Sequence, residues 1–247
     1  MKLYAIGCSF TNGHQLAGPL GGWPLIVANS LNATLINNGQ SAAGNTYISH
    51  KPILDNVSAD LALVMWSGLT RKDLVVDCTN RVLMSVLDQY GYIAPGNEKT
   101  KYVFSGGIRG SWENNSFIKE IFKPLYKVSN ERTMAQDTLL NIIQLQSYFN
   151  QNKINYIMSS YVNYWTAQPQ VADIDFGIGQ FTDLHYLIDQ IDFSRWIFLN
   201  DNKDGIYELA KQTPLGFQSD NFHPTYVVHE QWADLVLKTL GQRNLLS

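Results

Sequence analysis

The stretch "KLYAIGCSFTNG", from Lys2 to Gly13, joins a short apolar run to a turn that contains Ser9. The run is rich in strand-forming residues and stops at Gly7, which predicts a buried strand followed by a turn. In an open α/β sheet, such a turn lies at the carboxyl edge, where these sheets bind their ligands. The sequence therefore predicts a ligand-facing hydroxyl at Ser9, although a lone serine in this position is more often the N-cap of a helix.

Three further apolar segments predict strands, and helical patterns lie between them. The predicted strands are "ATLIN" (33–37), "DLALVMW" (60–66) and "INYIMSSY" (154–161). The segment "DLALVMW" is apolar nearly throughout, as expected when helices cover both faces of a parallel sheet. Helices are predicted at 22–31, at 133–152 and in a C-terminal segment that ends at Gly241. This alternation of strands and helices indicates an α/β fold.

Two long segments interrupt the alternation. Residues 72–130 are rich in glycine, aromatic and polar residues without clean periodicity, and residues 163–218 form a second excursion. Both are predicted as insertions that overhang one end of the sheet. The length of 247 residues, 45% of them hydrophobic, suits one substantial core, so residues 1–247 are predicted to form a single domain.

Charge and composition exclude several classes of partner. The formal net charge is -3, and no basic stripe or polybasic patch is present, which argues against nucleic acid and membrane surfaces. The N-terminal apolar run is too short for a signal-peptide core, and no run is long enough for a membrane span. The expected location is the cytoplasm or a virion.

The cysteines and histidines give little support for metal or redox chemistry. Cys8 and Cys78 have no C-x-x-C spacing, and free thiols are expected, although sequence alone leaves a disulfide open. No H-E-x-x-H pattern occurs among the five histidines. The prediction is therefore a protein without a metal or cofactor.

A second candidate site lies near the C-terminus, in "SDNFHP". Asp220 and His223 are three residues apart, so in a tight turn the carboxylate can orient the imidazole. Pro224 suits the first turn of a following helix. An imidazole at that position could accept the proton of Ser9, which is a poor nucleophile by itself. Taken alone, D-x-x-H pairs are common on protein surfaces.

The order of these motifs resembles the SGNH, or GDSL-type, hydrolase family. "GCSF" corresponds to the family's nucleophile block with Ser9, "NNGQSAAGNTYI" to the second block with Gly44, and "DNFHP" to the closing block with Asp220 and His223. The resemblance covers nearly the whole chain. It implies a three-layer α/β/α sandwich with a central, mostly parallel, flavodoxin-like sheet. It also implies a Ser9, His223, Asp220 triad, and oxyanion donors at Ser9 and Gly44. A structural part is implied for His229, six residues after His223.

Two departures from the family pattern concern the turn and the third block. Cys8 replaces the usual aspartate of the first block, and its thiol is an alternative nucleophile. The third block, "VMWSGLTRKD", has no asparagine; Thr70 or Arg71 could supply the missing oxyanion donor, or be a plain loop residue and a surface charge. The α/β-hydrolase fold is disfavoured because Thr11 stands where G-x-S-x-G needs glycine.

The tryptophans divide into two groups by position. Trp66 and Trp232 fall on apolar strand and helix faces and are predicted to lie in the core. Trp112 and Trp165 lie in the two excursions, where they are candidates for a lid or a substrate wall.

Two functions of different classes follow. The favoured one is a serine hydrolase that cleaves a carboxylic ester through an acyl-enzyme, an esterase or O-deacylase whose substrate is a small molecule or an acylated carbohydrate. The alternative is a catalytically weak or inactive module of the same fold that recognises a glycan, in a phage-associated setting. The alternative rests on the missing asparagine and the aromatic insertions.

Overall fold

The computed structural model describes residues 1–13, 16, 21–79, 84–85, 87, 93–96, 99–107, 110–166 and 176–245. Its centre is a four-stranded parallel sheet with the order β2-β1-β3-β7. The strands of this sheet are β1 (Lys2–Ile6), β2 (Thr34–Asn37), β3 (Leu61–Trp66) and β7 (Asn155–Ser160). A single parallel bridge between Met158 and Trp196 extends the sheet beyond β7.

Eight helices are described around this sheet and its connections. They are α1 (Ser9–Asn12), α2 (Trp23–Ser30), α3 (Asn45–Leu54), α4 (Ser116–Val128), α5 (Glu131–Gln151), α6 (His185–Ile188), α7 (Ile206–Gln212) and α8 (Tyr226–Gln242). Helix α2 packs against α8, and α3 packs against α5. Every residue of β3 is buried, so both faces of the sheet are covered. The predicted α/β architecture with a central parallel sheet is confirmed.

The regular elements agree closely with the sequence prediction. All four predicted strands are present, within one residue at either end. The predicted helices at 22–31 and 133–152 are also found, as Trp23–Ser30 and Glu131–Gln151. The C-terminal helix, predicted to end at Gly241, ends one residue later at Gln242. A Cβ at Gly241 would meet nothing within 4 Å, so this position does not require glycine.

The first excursion, 72–130, contains regular structure that the sequence did not reveal. Strands β4 (Asp73–Asp77), β5 (Ile93–Pro95) and β6 (Thr100–Phe104) form an antiparallel sheet with the order β4-β6-β5. Its outward side packs on α4 through a small apolar cluster that includes Trp112 and Phe122. Tyr102 and Phe104 instead join the main core, each with its ring centroid 5.1 Å from that of Tyr47 on α3.

The described part of the second excursion, 163–166 and 176–218, contains several short helical segments. The 3-10 helices are Ile178–Gln180, Thr182–Leu184 and Phe193–Arg195, and a further one, Ser111–Asn114, precedes α4. Within the described part of the chain, no helix is both long and apolar enough to cross a membrane.

Candidate active site

The turn after β1 presents Ser9 at the carboxyl edge of the parallel sheet. Helix α1 starts at Ser9, so the serine lies in the first position of a short helix and Cys8 forms its N-cap. The turn is possible because Gly7 has no side chain: a Cβ there would lie 2.1 Å from the Thr11 hydroxyl oxygen and 2.8 Å from the Met65 carbonyl oxygen. This close approach fixes the serine next to β3.

The loop before α8 presents His223 and Asp220. An antiparallel bridge between Phe217 and Pro224 closes the loop, and the Gln218 N–H donates to the His223 carbonyl oxygen at 2.8 Å. Asp220 Oδ1 accepts the backbone N–H groups of Phe222 and His223, both at 2.9 Å. The loop geometry is therefore set by backbone hydrogen bonds, which leaves Oδ2 of Asp220 for the imidazole.

The two ends of the chain meet through a continuous chain of hydrogen bonds. His223 Nε2 lies 2.9 Å from Ser9 Oγ, and His223 Nδ1 lies 2.5 Å from Asp220 Oδ2. Burial alone would raise the pKa of Asp220, but hydrogen bonds from the His223 ring and from two backbone N–H groups outweigh it, so this pKa lies below its usual value. An ionised Asp220 favours a proton on Nδ1, which leaves Nε2 as an acceptor for the serine proton.

Ser9 is almost fully buried, whereas the histidine and aspartate keep limited contact with solvent. Ser9 is 4% exposed, and the side chains of His223 and Asp220 are 16% and 29% exposed. The ring of Phe10 contacts that of His223, with centroids 5.4 Å apart. A serine hydroxyl that is protected from water and paired with an oriented imidazole has the geometry of an activated nucleophile.

Comparison with solved structures identifies the fold. TesA matches with a TM-score of 0.52 and 11% identity over 97% of this chain and 98% of that one. A psychrotrophic esterase, EstA from a Pseudoalteromonas species, matches with a TM-score of 0.51 and 10% identity over 98% and 97%. A protein described as lipolytic and of the G-D-S-L family, from Desulfitobacterium hafniense DCB-2, matches with a TM-score of 0.50 and 12% identity over 97% and 99%.

The chain has the same fold as these three solved structures. The relationship is visible in the fold alone, because no protein-family model and no curated protein sequence matches this chain. The resemblance seen in the sequence motifs and the structural match thus lead to the same fold by separate routes.

Gly44 is the N-cap of α3, but its backbone N–H is already engaged. This N–H donates to Asp73 Oδ1 at 2.7 Å, and the Tyr47 N–H donates to Asp73 Oδ2 at 2.8 Å. The predicted oxyanion donor at Gly44 is therefore unavailable in this arrangement. Sequence reasoning missed this because the carboxylate that caps α3 comes from β4, 29 residues further along the chain.

Asp73 is a half-buried carboxylate whose pKa is affected in opposite directions by burial and by its neighbours. Burial raises the pKa of Asp73 to about 6, although the two backbone hydrogen bonds and the nearby charges of Arg71 and Lys72 act to lower it. The ionised form suits the positive end of the α3 dipole. At neutral pH a negative charge thus lies directly on the Gly44 amide.

The third block lies between α3 and the small antiparallel sheet. Thr70 is buried, and its carbonyl oxygen accepts the Tyr126 hydroxyl at 2.8 Å. Arg71 Nη1 donates to the Ala43 carbonyl oxygen at 3.3 Å, and the guanidinium carbon is 5.8 Å from the centroid of the Tyr161 ring. That ring is 4.8 Å from the ring of Phe10, the residue after Ser9. Arg71 thus lies beside the turn that contains Ser9, whereas Thr70 lies in the buried loop that follows β3.

Asn45 is a buried structural residue next to Gly44 that the sequence analysis did not find. Its Oδ1 accepts the Ser67 N–H at 2.8 Å, and its Nδ2 donates to the Ser67 carbonyl oxygen at 3.3 Å and to Thr138 Oγ1 at 3.1 Å. The amide therefore joins the second block to the end of β3. The only signal in the sequence was an asparagine directly after Gly44.

Three other residues of interest lie in the interior. His229 is 1% exposed, and its Nδ1 accepts the backbone N–H of Trp23 at 3.1 Å, so its place is at the junction of α2 and α8. Trp112 and Trp165 are 4% and 6% exposed, which makes the expectation of a substrate wall wrong for both. Trp112 packs on Tyr126, and Trp165 packs on Trp196.

The two cysteines are free thiols. Cys8 is completely buried within the main core, and His223 Nε2 accepts a hydrogen bond from the hydroxyl of the neighbouring Ser9. The geometry favours the serine over the thiol as the candidate nucleophile.

Proposed function

We propose that this chain is a serine hydrolase that cleaves carboxylic esters. The observation that carries the proposal is the 2.9 Å contact between Ser9 Oγ and His223 Nε2, with Asp220 at the other ring nitrogen. Ser9, His223 and Asp220 are joined by hydrogen bonds in the order nucleophile, base and orienting acid, which is the arrangement that serine hydrolases use for acyl transfer. The fold match to EstA, which is described as an esterase, supports the same chemistry.

In the first half of the reaction, Ser9 Oγ attacks the carbonyl carbon of the ester. The serine proton moves to His223 Nε2, and the carbonyl π electrons move to its oxygen to form a tetrahedral oxyanion. Collapse of this intermediate breaks the bond to the alcohol oxygen, which leaves with the proton from His223. The products of this half are a free alcohol and an acyl-Ser9 ester.

In the second half, water takes the place of the alcohol. His223 Nε2 accepts a proton from water as its oxygen attacks the acyl carbon, and it returns that proton to Ser9 Oγ when the carbon–oxygen bond to the enzyme breaks. Asp220 remains ionised and stabilises the imidazolium in both halves. The net reaction is ester plus water to carboxylic acid plus alcohol.

The oxyanion needs hydrogen-bond donors near Ser9. The backbone N–H of Ser9 and the Arg71 guanidinium are the proposed donors, with the Thr70 hydroxyl as a further candidate. Gly44 joins them only if Asp73 releases its N–H. Because loss of one such donor typically slows turnover by about 10²- to 10³-fold, we expect a slow esterase while Asp73 holds this amide.

The test combines hydrolysis with covalent labelling. The parent chain is expected to hydrolyse p-nitrophenyl acetate and to react with a fluorophosphonate probe at Ser9, and Ser9→Ala is expected to lose both properties. Ser147→Ala is the matched control, because Ser147 is an exposed serine on α5 whose hydroxyl bonds only to its own helix. Full activity in Ser9→Ala would remove Ser9 from the proposed role.

A binding module for glycans is the second candidate, and one structural feature favours it. The Gly44 amide is engaged by Asp73, and the third block lacks asparagine, so two expected oxyanion donors are compromised. The same experiment separates the candidates. Absence of probe labelling at Ser9, together with measurable binding to a glycan array, would support the module over the hydrolase.

A further inference from the structure

We propose that a row of aromatic side chains beside His223 binds the acyl chain of an apolar ester. The row, called here the aromatic row, consists of Phe222, Tyr207 and Phe217. This inference rests on the proposed ester hydrolysis and assigns its substrate class: esters of medium or long aliphatic acids.

The row begins at the reacting atoms. Phe222 directly precedes His223, and its ring centroid lies 5.2 Å from that of His223 and 5.4 Å from that of Phe10. Its backbone N–H is fixed by Asp220 Oδ1 at 2.9 Å. The same carboxylate that orients the imidazole therefore also sets the start of the row, so a group held by Phe222 lies close to Ser9.

The row continues from Phe222 to Tyr207 on α7, and then to Phe217 in the loop before α8. The ring of Tyr207 lies 5.7 Å from that of Phe222, and the ring of Phe217 lies 5.2 Å from that of Tyr207. Tyr207 is held in place by its backbone N–H, which donates to the Tyr161 carbonyl oxygen at 2.8 Å. All three side chains are half-buried: one part of each packs against the main core, and another remains accessible. Three consecutive half-exposed rings form a continuous apolar path that leads from Ser9.

The angles between the rings favour a flexible chain over a flat ligand. Phe222 meets Phe10 at 88° and His223 at 89°, and Tyr207 meets both Phe222 and Phe217 at 50°. A sugar or aromatic ligand stacks best on a flat ring face, whereas this row presents a mixture of edges and faces. An aliphatic chain can follow such a surface because each methylene adapts separately. Two charged groups lie beside the row: the Asp220 carboxylate accepts the Phe222 N–H at 2.9 Å, and Lys211 Nζ lies 5.9 Å from the centre of the Tyr207 ring.

The expected signature is a dependence of rate on acyl length. Each methylene that becomes buried contributes about 0.8 kcal/mol, which is about a fourfold gain in kcat/KM. The parent chain is therefore expected to prefer p-nitrophenyl octanoate to the acetate. Tyr207→Ala is expected to reduce this preference at least tenfold, because octanoate hydrolysis loses the apolar contact with Tyr207, whereas acetate is too short to gain from it. Tyr207→Leu, which keeps apolar area, is expected to restore most of the preference.

Two controls make the result specific. Tyr186→Ala removes a tyrosine that is 58% exposed on α6, away from the row, and should leave the length profile unchanged. A second series of acetates, in which the alcohol grows instead of the acid, tests which side of the ester lies on the row. A length preference that appears in the alcohol series and not in the acyl series would overturn the assignment.

The possible outcomes distinguish acyl-chain binding by the aromatic row from the proposed ester hydrolysis. A parent chain that hydrolyses none of these esters and resists the fluorophosphonate contradicts the proposed hydrolase itself. A parent chain that hydrolyses all acyl lengths at equal rates, or a Tyr207→Ala variant that loses acetate and octanoate activity to the same extent, contradicts only the aromatic row.

Discussion

At the scale of single residues, the candidate triad depends on which nitrogen of His223 holds its proton. Asp220 accepts three hydrogen bonds with two oxygens: two from backbone N–H groups at Oδ1, and one from the imidazole at Oδ2. Only an acceptor at Oδ2 keeps the proton on Nδ1 and leaves Nε2 available to Ser9. His223 Nε2 can therefore act as the base for Ser9 only if Asp220 has a hydrogen-bond acceptor at the Oδ2 position.

Asp220→Asn tests this dependence. If the amide keeps its oxygen toward the two backbone N–H groups, its NH₂ group faces Nδ1 and forces the proton onto Nε2. We expect kcat to fall about 10⁴-fold, with little change in KM or in thermal stability. The measurements are steady-state hydrolysis of p-nitrophenyl esters and a thermal denaturation curve.

The matched control for that variant is Asp189→Asn, which neutralises an exposed aspartate after α6. Its kcat should equal that of the parent. Equal activity in the Asp220 and Asp189 variants would show that the carboxylate of Asp220 takes no part in catalysis.

Among individual residues, those that belong to a motif were predictable and those that act through the backbone were not. The proximity of Ser9, Asp220 and His223 followed from the order of motifs along the chain. Asn45 and Asp73 escaped notice because the backbone groups that they bind lie 22 to 29 residues away, and backbone groups have no signature in the sequence. A carboxylate that caps a helix from another element can be found only when the tertiary contact is known.

At the scale of elements, the junction of β1 and α1 determines where the nucleophile lies. The chain turns from strand to helix within two residues, so that Ser9 opens the helix directly above the sheet edge. Gly7 makes this turn possible, since the space that a side chain would need is filled by Thr11 and by the Met65 backbone of β3. Gly7 therefore affects both the location of Ser9 and the packing of the turn against β3.

Gly7→Ala is expected to lower both stability and activity. The added methyl group would clash with a backbone oxygen that belongs to the central strand, so β1 and β3 must shift apart. We expect a loss of about 1–3 kcal/mol in the free energy of unfolding, and a fall in kcat as Ser9 moves away from His223. Denaturant unfolding and ester hydrolysis measure the two effects.

Gly241→Ala is the control glycine, because a Cβ at that position in α8 meets nothing within 4 Å. It should leave kcat unchanged and increase stability by about 0.5–1 kcal/mol, as alanine does in a helix interior. If Gly7→Ala behaved like Gly241→Ala, the close approach of the turn to β3 would not be a constraint on the site.

The elements also divide by predictability. The four parallel strands were predictable because each contains a short apolar segment, which in β3 covers the whole strand and is buried on both faces. The antiparallel sheet of β4, β5 and β6 was not. Its strand β4 pairs with β6, 23 residues beyond its own end, so no tight hairpin turn marks the pairing, and its residues alternate only weakly between buried and exposed.

At the scale of the whole molecule, buried ionisable groups tie distant parts of the chain together. His229 on α8 accepts the N–H of Trp23 at the start of α2, a separation of 206 residues, and Asp73 on β4 holds the start of α3. Neither group touches Ser9. Both nevertheless hold helices against the sheet that positions the candidate site, so their protonation is linked to folding.

The two groups are expected to change stability with pH in opposite directions. Burial lowers the pKa of His229 from 6.5 to about 4, so between those values the unfolded chain binds more protons and stability rises with pH. Burial raises the pKa of Asp73 from 3.8 to about 6, so in that range the folded chain binds more protons and stability falls as pH rises. In the parent chain these two contributions largely cancel between pH 4 and 6.

Single variants should therefore reveal slopes of opposite sign. Relative to the parent, His229→Gln removes the histidine contribution of about 3 kcal/mol, so its unfolding free energy should fall as pH rises from 4 to 6. Asp73→Asn should show the reverse, a rise over the same range, by a smaller amount because its carboxylate is only half-buried. Urea unfolding at several pH values measures both, with the exposed His185→Gln as the control. Parallel profiles for all three variants would mean that neither buried group is linked to folding, and that the helices are held to the sheet by apolar packing alone.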